Sequence, residues 1–177
     1  HFLLFDVGAR SPLRMAQAQM PMGRLDGVFL THFHSDHIAA IPDVNLVSWV
    51  QGRDENLSIY GGEGVEEIVD GFNAAYRHDR RYRTAHHGED MLPASTGPMS
   101  AKTFTPGDVV FQDDLITVTS FPVEHPPIEP AVGYRVDYRG RSVVISGDTN
   151  ASQSLFTAAK DADLVFTTPL PATCSTR

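Results

Sequence analysis

The chain has 177 residues, 41% hydrophobic and 20% charged, which is enough for one sizeable core in a globular domain. No apolar run reaches the length of a membrane span, and the single cysteine, Cys174, excludes a disulfide framework or a cysteine metal cluster. A net charge of −8 disfavours a polyanionic partner unless a basic patch overcomes that field locally. His1 opens the chain without an initiator Met and already inside a strand-like run, so an N-terminal segment is expected to be missing. No signal peptide is visible. A cytoplasmic location and a periplasmic one reached by a lost leader both stay open.

Residues 2–6 read as a strand that ends at Gly8. Residues 12–20 form a short helix candidate, with Ser11 as N-cap and Pro12 at the first helical position. The unbroken run Gly27-Val28-Phe29-Leu30 marks residues 27–31 as a buried strand. Residues 36–50 read as a helix with a wobble at Pro42, and Asp36 near its start suits the helix dipole. Residues 57–60 are a strand closed by Gly61-Gly62-Glu63-Gly64. The simpler reading of these glycines is a strand-to-helix turn, with a phosphate cradle as the alternative. Residues 65–83 carry apolar side chains at three- and four-residue spacing (Val65, Ile68, Val69, Phe72, Ala75, Tyr76), which predicts one long helix.

The end of that helix holds the one basic patch of the chain, Arg77, Arg80, Arg81 and Arg83, with His78, His86 and His87 nearby. It reads as a solvated face paired with carboxylates, with polyanion binding as the alternative. Residues 88–100 read as a loop. Strand candidates 109–111 and 115–121 flank Gln112-Asp113-Asp114, and 132–138 and 141–145 flank Arg139-Gly140, giving two hairpins. Residues 153–160 are a short helix and 164–167 a last strand. This order predicts two mixed sheets covered by helices in one domain over residues 1–168, followed by an irregular tail over 169–177.

The chemistry concentrates in His32-Phe33-His34-Ser35-Asp36-His37, directly after the strand of residues 27–31. Imidazole nitrogens and carboxylate oxygens are the usual ligands of zinc and also suit iron and manganese. A loop at the C-terminal end of a strand is where layered α/β proteins place their sites. Two more candidates follow apolar strands: His125, after Phe121-Pro122-Val123-Glu124, and Asp148, after Val143-Val144-Ile145-Ser146-Gly147. Each has a structural alternative, a capped loop histidine for His125 and a helix N-cap before Ala151 for Asp148. The histidine cluster tips both towards ligation.

Taken together, Leu30-Thr31-His32-Phe33-His34-Ser35-Asp36-His37, His125 followed by Gly133-Tyr134-Arg135-Val136, Ser146-Gly147-Asp148-Thr149 and Phe5-Asp6-Val7-Gly8 resemble the metallo-β-lactamase fold superfamily. Within it, the branch of ribonuclease Z and its arylsulfatase-like relatives is the most similar, over about residues 2–165. The resemblance implies an α/β fold, the four-layered αββα metallo-β-lactamase sandwich, incomplete at the C-terminus. It implies that His32, His34 and His125 hold one metal, that Asp36 and His37 help hold a second, and that Asp148 bridges them. Two zinc ions are the expected cofactors, with manganese or iron as substitutes. Metals about 3.5–4 Å apart bring a bridging water towards ionisation at neutral pH and stabilise attacking and leaving oxygens. Asp36 is the expected catalytic group, steering the nucleophile or taking its proton. Asp6 and Thr149 would orient ligands by hydrogen bonds. The β-lactamases proper commonly use a cysteine at the second metal, and none stands near these motifs.

Two departures shape the functional expectation. Members of the branch supply a last histidine ligand downstream of the Asp148 position, whereas no histidine follows His125. The segment Leu164-Val165-Phe166-Thr167-Thr168 stands where relatives tend to carry a His-Glu pair, so a truncated or frame-shifted C-terminus is expected. Transfer-RNA-processing members also carry a protruding arm between the His125 and Asp148 positions, whereas residues 126–147 hold only Pro126-Pro127 and one hairpin. The leading expectation is therefore dinuclear-zinc hydrolysis of a small-molecule phosphodiester or sulfate ester by a metal-bound hydroxide, with nucleic acid disfavoured. A ribonuclease Z-like endonuclease comes next, then an inactive metal-binding fragment, and a β-lactamase last. No membrane partner is expected, and a homodimer is open.

Overall fold

The computed structural model describes residues 1–168, so the tail 169–177 and Cys174 lie outside the described residues. Contacts gather the chain into two compact units, His1–Thr103 and Phe104–Arg177. In the first, β1 (Leu3–Phe5), β2 (Gly27–Phe29), β3 (Leu57–Gly61) and β4 (Met99–Thr103) lie in that order, all parallel. Parallel neighbours need crossover connections. These are supplied by α1 (Ser11–Gln17), α2 (Ser35–Ile38), α3 (Ile41–Val50), α4 (Val65–Ala75) and α5 (Arg77–His87). This sheet is therefore not mixed, as expected from the sequence, but purely parallel. Its core is aliphatic, with Val28, Leu30, Ile41, Val44, Ile59 and Val65 all fully buried.

The register aligns Phe5 with Phe29 and Phe29 with Tyr60. Their rings stack across the three strands at centroid distances of 5.1 and 4.4 Å. Each such pair contributes about 0.5–1.5 kcal/mol beyond its area burial. The ladder fixes the C-terminal ends of β1, β2 and β3 side by side.

Four local expectations change. Ser11 is not the N-cap of α1: Arg10 holds that place in the left-handed region, and the Ser11 hydroxyl donates to the Gly8 carbonyl at 2.8 Å. The helix expected over 36–50 is two helices broken at Ala39–Ala40, with Pro42 in the first turn of α3, where its missing N–H costs nothing. The helix expected over 65–83 breaks at Tyr76 and resumes as far as His87. The break follows Asn73, whose side-chain amide donates to Met99 O and accepts from Met99 N. The Asn73 carbonyl accepts from Arg80 Nη2 at 2.8 Å. Finally, residues 99–103, partly expected as loop, form β4.

Arg53 is 5% exposed and ties three segments together. Its Nε donates to Ser48 Oγ, its Nη2 to Asn45 Oδ1, and its Nη1 to the Thr96 and Glu55 carbonyls. Burial pulls its pKa down to about 10, opposed by the charge of Asp54. It is still protonated at neutral pH, its charge met by carbonyl and amide dipoles. Asn45 Nδ2 donates to Gly97 O, and Trp49 Nε1 to Thr96 Oγ1, so α3 and the 93–97 segment are locked to each other.

In the second unit β5 (Val109–Gln112), β6 (Ile116–Pro122), β7 (Val132–Tyr138) and β8 (Arg141–Ile145) are antiparallel neighbours. The crossover α6 (Gln153–Ala159) leads to β9 (Leu164–Phe166), which pairs parallel with β8. The turn chemistry matches both expected hairpins. Asp113 Oδ1 accepts from Leu115 N and Ile116 N. Arg139 and Gly140 have φ of 47° and 76°, the positive values that a two-residue hairpin loop demands. Gly133 on β7 leaves room for a neighbour: a Cβ there would lie 2.4 Å from Phe121 Cζ and 2.8 Å from the Ile145 carbonyl. Because one of those atoms is backbone of β8, Gly133→Ala is expected to lower stability by about 1–3 kcal/mol, read as a shifted midpoint in urea unfolding.

Candidate metal centre

The first half of the centre is built where β1 and β2 end. Asp6 follows β1 with φ 54°, the left-handed region that few side chains tolerate. This turns its carboxylate back over the end of β2. Asp6 Oδ1 accepts from Thr31 N at 2.8 Å, and Oδ2 accepts from Thr31 Oγ1 at 2.9 Å. The same Oδ2 lies 2.8 Å from His37 Nδ1. One carboxylate thus holds both ends of the histidine loop.

These bonds also assign protons. Thr31 Oγ1 gives its only hydrogen to Asp6, so it accepts from His32 Nδ1, 3.0 Å away. With Nδ1 protonated, His32 presents a lone pair at Nε2. His37, donating from Nδ1 to Asp6, likewise presents Nε2. His32 Nε2 faces His34 Nδ1 at 2.9 Å, and His37 Nε2 lies 3.6 Å from Asp36 Oδ2. His32 is 2% exposed, while the Asp36 side chain is 76% exposed. The set therefore runs from a buried imidazole to an open carboxylate. Imidazole nitrogens converging at this spacing, with a carboxylate and a hydroxyl fixing their tautomers from behind, fit a divalent cation.

Three contributors to this half carry no role in the sequence reading. The backbone of Val7 donates to His37 O at 2.7 Å and accepts from Ala40 N at 2.9 Å, clamping the C-terminal end of α2. Gly8 lies so near that α2 that a Cβ would stand 2.1 Å from the Asp36 carbonyl oxygen. Phe33, in the middle of the motif, rests on the glycine turn after β3: Cβ atoms at Gly61 and Gly64 would each come within 3.3 Å of its ring. The glycines are thus a strand-to-helix turn, as expected, and also a seat for Phe33. The Asp-Val-Gly triplet after a strand is the signal that points to the clamp, but the contact itself joins segments distant in sequence.

In the second unit His125 lies just after β6 and Asp148 just after β8. Their loops are stitched together. Glu124 N donates to Thr149 Oγ1 at 3.0 Å, Asn150 N donates to Glu124 O at 2.7 Å, and Glu124 and Asn150 form an isolated bridge. Thr149 therefore orders the segment next to Asp148. Asp148 does not cap α6, because Ser152 does so, accepting from Leu155 N.

Residues 3–174 match the family model described as the beta-lactamase superfamily domain. The chain belongs to the β-lactamase superfamily. Among superfamily relatives, it is 36% identical over 168 residues to a protein named Ribonuclease Z from Mycobacterium bovis (strain BCG / Pasteur 1173P2), covering 93% of this chain and 59% of that one. The chain thus spans about three fifths of the length of the curated relative it matches. Among solved structures it is similar to the metallo-β-lactamase fold protein YhfI from Bacillus subtilis, with a TM-score of 0.66, 23% identity, and coverage of 92% of this chain and 58% of that one. It is also similar to the short form of human tRNase Z, with a TM-score of 0.65, 22% identity, and coverage of 92% and 65%. These likenesses bear out the α/β class and the metallo-β-lactamase fold. In this superfamily member Gly8→Ala is expected to push Asp36 and α2 outward. The cost is about 1–3 kcal/mol in thermal or urea unfolding, with the amide resonances of residues 36–40 displaced in NMR spectra.

Proposed function

We propose that the chain is a metal-dependent hydrolase of phosphodiester bonds in RNA, of the ribonuclease Z kind. The observation that carries this reading is the 36% identity over 168 residues to a protein of that name. The solved tRNase Z neighbour supports the fold alone. This reverses the order expected from the sequence, where a small-molecule phosphodiester or sulfate ester led and nucleic acid was disfavoured. Net charge does not weigh against this reading, because it sums over the whole chain, while phosphates are met locally. α5 alone carries four arginines against one carboxylate.

In this reading His32, His34, Asp36 and His37 would hold divalent ions, with His125 and Asp148 as the candidate ligands of the second unit. The imidazole-rich set favours zinc, with manganese or iron as substitutes. When bound, such ions make water a nucleophile near neutral pH and offset charge on the phosphate oxygens. The protein's own groups do the rest. Asp6 keeps His37 in the Nδ1–H tautomer and holds Thr31 under His32. Asp36 Oδ2, open to solvent beside His37 Nε2, receives the proton of the attacking water. Thr149 steadies the loop that presents Asp148.

The test loads the 177-residue chain with zinc or manganese. A fluorescent RNA hairpin with a single-stranded 3′ extension is then compared with bis(p-nitrophenyl) phosphate, p-nitrophenyl sulfate and a cephalosporin. RNA cleavage that Asp148→Ala abolishes is expected. Sulfate ester turnover without RNA cleavage would restore the small-ester reading. One metal per chain or none, with no substrate turned over, would favour an inactive fragment, the reading motivated by the absence of any histidine after His125. Asp6→Asn is expected to weaken zinc binding about 10–100-fold in a calorimetric titration, because its partner histidine loses its orienting charge.

A further inference from the structure

The basic patch singled out in the sequence is not a uniformly solvated face. Arg83 is paired with Asp79, one turn before it, at 2.8 Å. Arg77, Arg80 and Arg81 make no ion pair within 4 Å among the described residues. Together with Thr84 they stand at helical i, i+3, i+4 and i+7 spacing and line one side of an open cleft of about 600 Å³. The 88–98 segment forms the other side.

Both walls are fixed. Arg80 Nη2 donates to Asn73 O, and its stem lies against Gly97, where a Cβ would come 3.0 Å from Arg80 Cδ. Arg80 Nη1 is buried, and no acceptor reaches it among the described residues. The opposite wall is held by the Arg53 network at Thr96 and by Asn45 at Gly97. It is tied to the helix by Thr84 Oγ1, which donates to Leu92 O at 2.9 Å. The one carboxylate lining the cleft, Glu89, already accepts from Ala94 N at 2.9 Å.

Arg77 and Arg81 are exposed, with their guanidinium groups left to solvent charge partners, and Arg81 also lies over the Tyr82 ring at 5.3 Å. Three like charges stand together here against two carboxylates, Asp79 and Glu89, that are already engaged by Arg83 and by Ala94 N, and an anion with several oxygens relieves the remaining repulsion. Planar guanidinium groups match phosphate in two-point fashion.

We propose that the Arg77–Arg80–Arg81 cleft is a phosphate-binding subsite for an RNA backbone, separate from the histidine loop and indifferent to base sequence. The choice of RNA rests on the nuclease reading above. The cleft's chemistry does not, and the test keeps the two apart. Contacts of this kind hold and orient a polynucleotide without reading it.

The experiment is fluorescence anisotropy of the same labelled RNA hairpin with the full 177-residue chain in EDTA, so that no cleavage occurs, across a range of salt. The comparison is between wild type, Arg77→Ala/Arg81→Ala, and a control pair of equal charge loss elsewhere, Lys102→Ala/Lys160→Ala. All four positions are exposed, and circular dichroism checks that each variant folds. Expected are binding by wild type, about 10-fold or greater loss in the arginine pair, and a log–log salt slope shallower by about 1.5 for two lost phosphate contacts. The lysine pair should behave as wild type. Absence of RNA binding by wild type, equal loss in both pairs, or binding of heparin but not RNA would each overturn the proposal. Arginine-dependent binding without cleavage in the metal-loaded assay would leave the subsite standing and remove the nuclease reading. Cleavage with binding unchanged in the arginine pair would do the reverse.

Discussion

The candidate metal centre hangs on a single carboxylate. Asp6 accepts from the backbone and hydroxyl of Thr31 and from His37, and thereby fixes the start and the end of the loop that carries the histidines. The constraint is electrostatic as well as geometric. An acceptor-only group behind two imidazole-bearing residues decides which ring nitrogen keeps its proton and which faces outward. It is held by a backbone conformation that L-residues seldom adopt, the kind of local cost that persists where the surroundings over-determine it. The aromatic ladder Phe5–Phe29–Tyr60 supplies that surrounding order one layer below.

The parts of the fold that could be read from the sequence are those written in local chemistry. The β7–β8 hairpin appears with its expected boundaries because Arg139-Gly140 is a turn that only a few backbone shapes accept. The histidine loop was legible because four metal-ligand side chains within six residues have few other uses. Three of the misreadings share one cause, a tertiary contact that no local pattern encodes. Tyr76 breaks a helix without glycine or proline, next to an Asn73 drawn towards β4 and Arg80. β4 itself reads Met99-Ser100-Ala101-Lys102-Thr103, weak in apolar alternation, and it pairs only because β3 offers it an open edge. The Gly8 contact with α2 was invisible for the same reason.

Charge had to be read twice. Summed over the chain it points away from nucleic acid. Resolved by element, it shows an acidic protein with one strongly basic helix, part of which is neutralised by Asp79 and part of which is not. Arg53 offers the contrast within the same unit. Among the described residues it too makes no ion pair within 4 Å, yet it is buried among carbonyls and amides, and its charge is spent on internal order rather than offered to a ligand.

The parallel sheet of the first unit has a consequence in time. Asp6 is separated from Thr31 by 25 positions and from His37 by 31. Their meeting requires β1 and β2 to be aligned through a crossover, and such non-local pairings form late in folding. A nascent chain with His32, His34 and His37 already synthesised but β1 and β2 not yet paired has the histidines without the tautomer control. Metal affinity at the loop is therefore coupled to closure of the sheet: a change that loosens the β1–β2 pairing loosens the orientation of His37 with it.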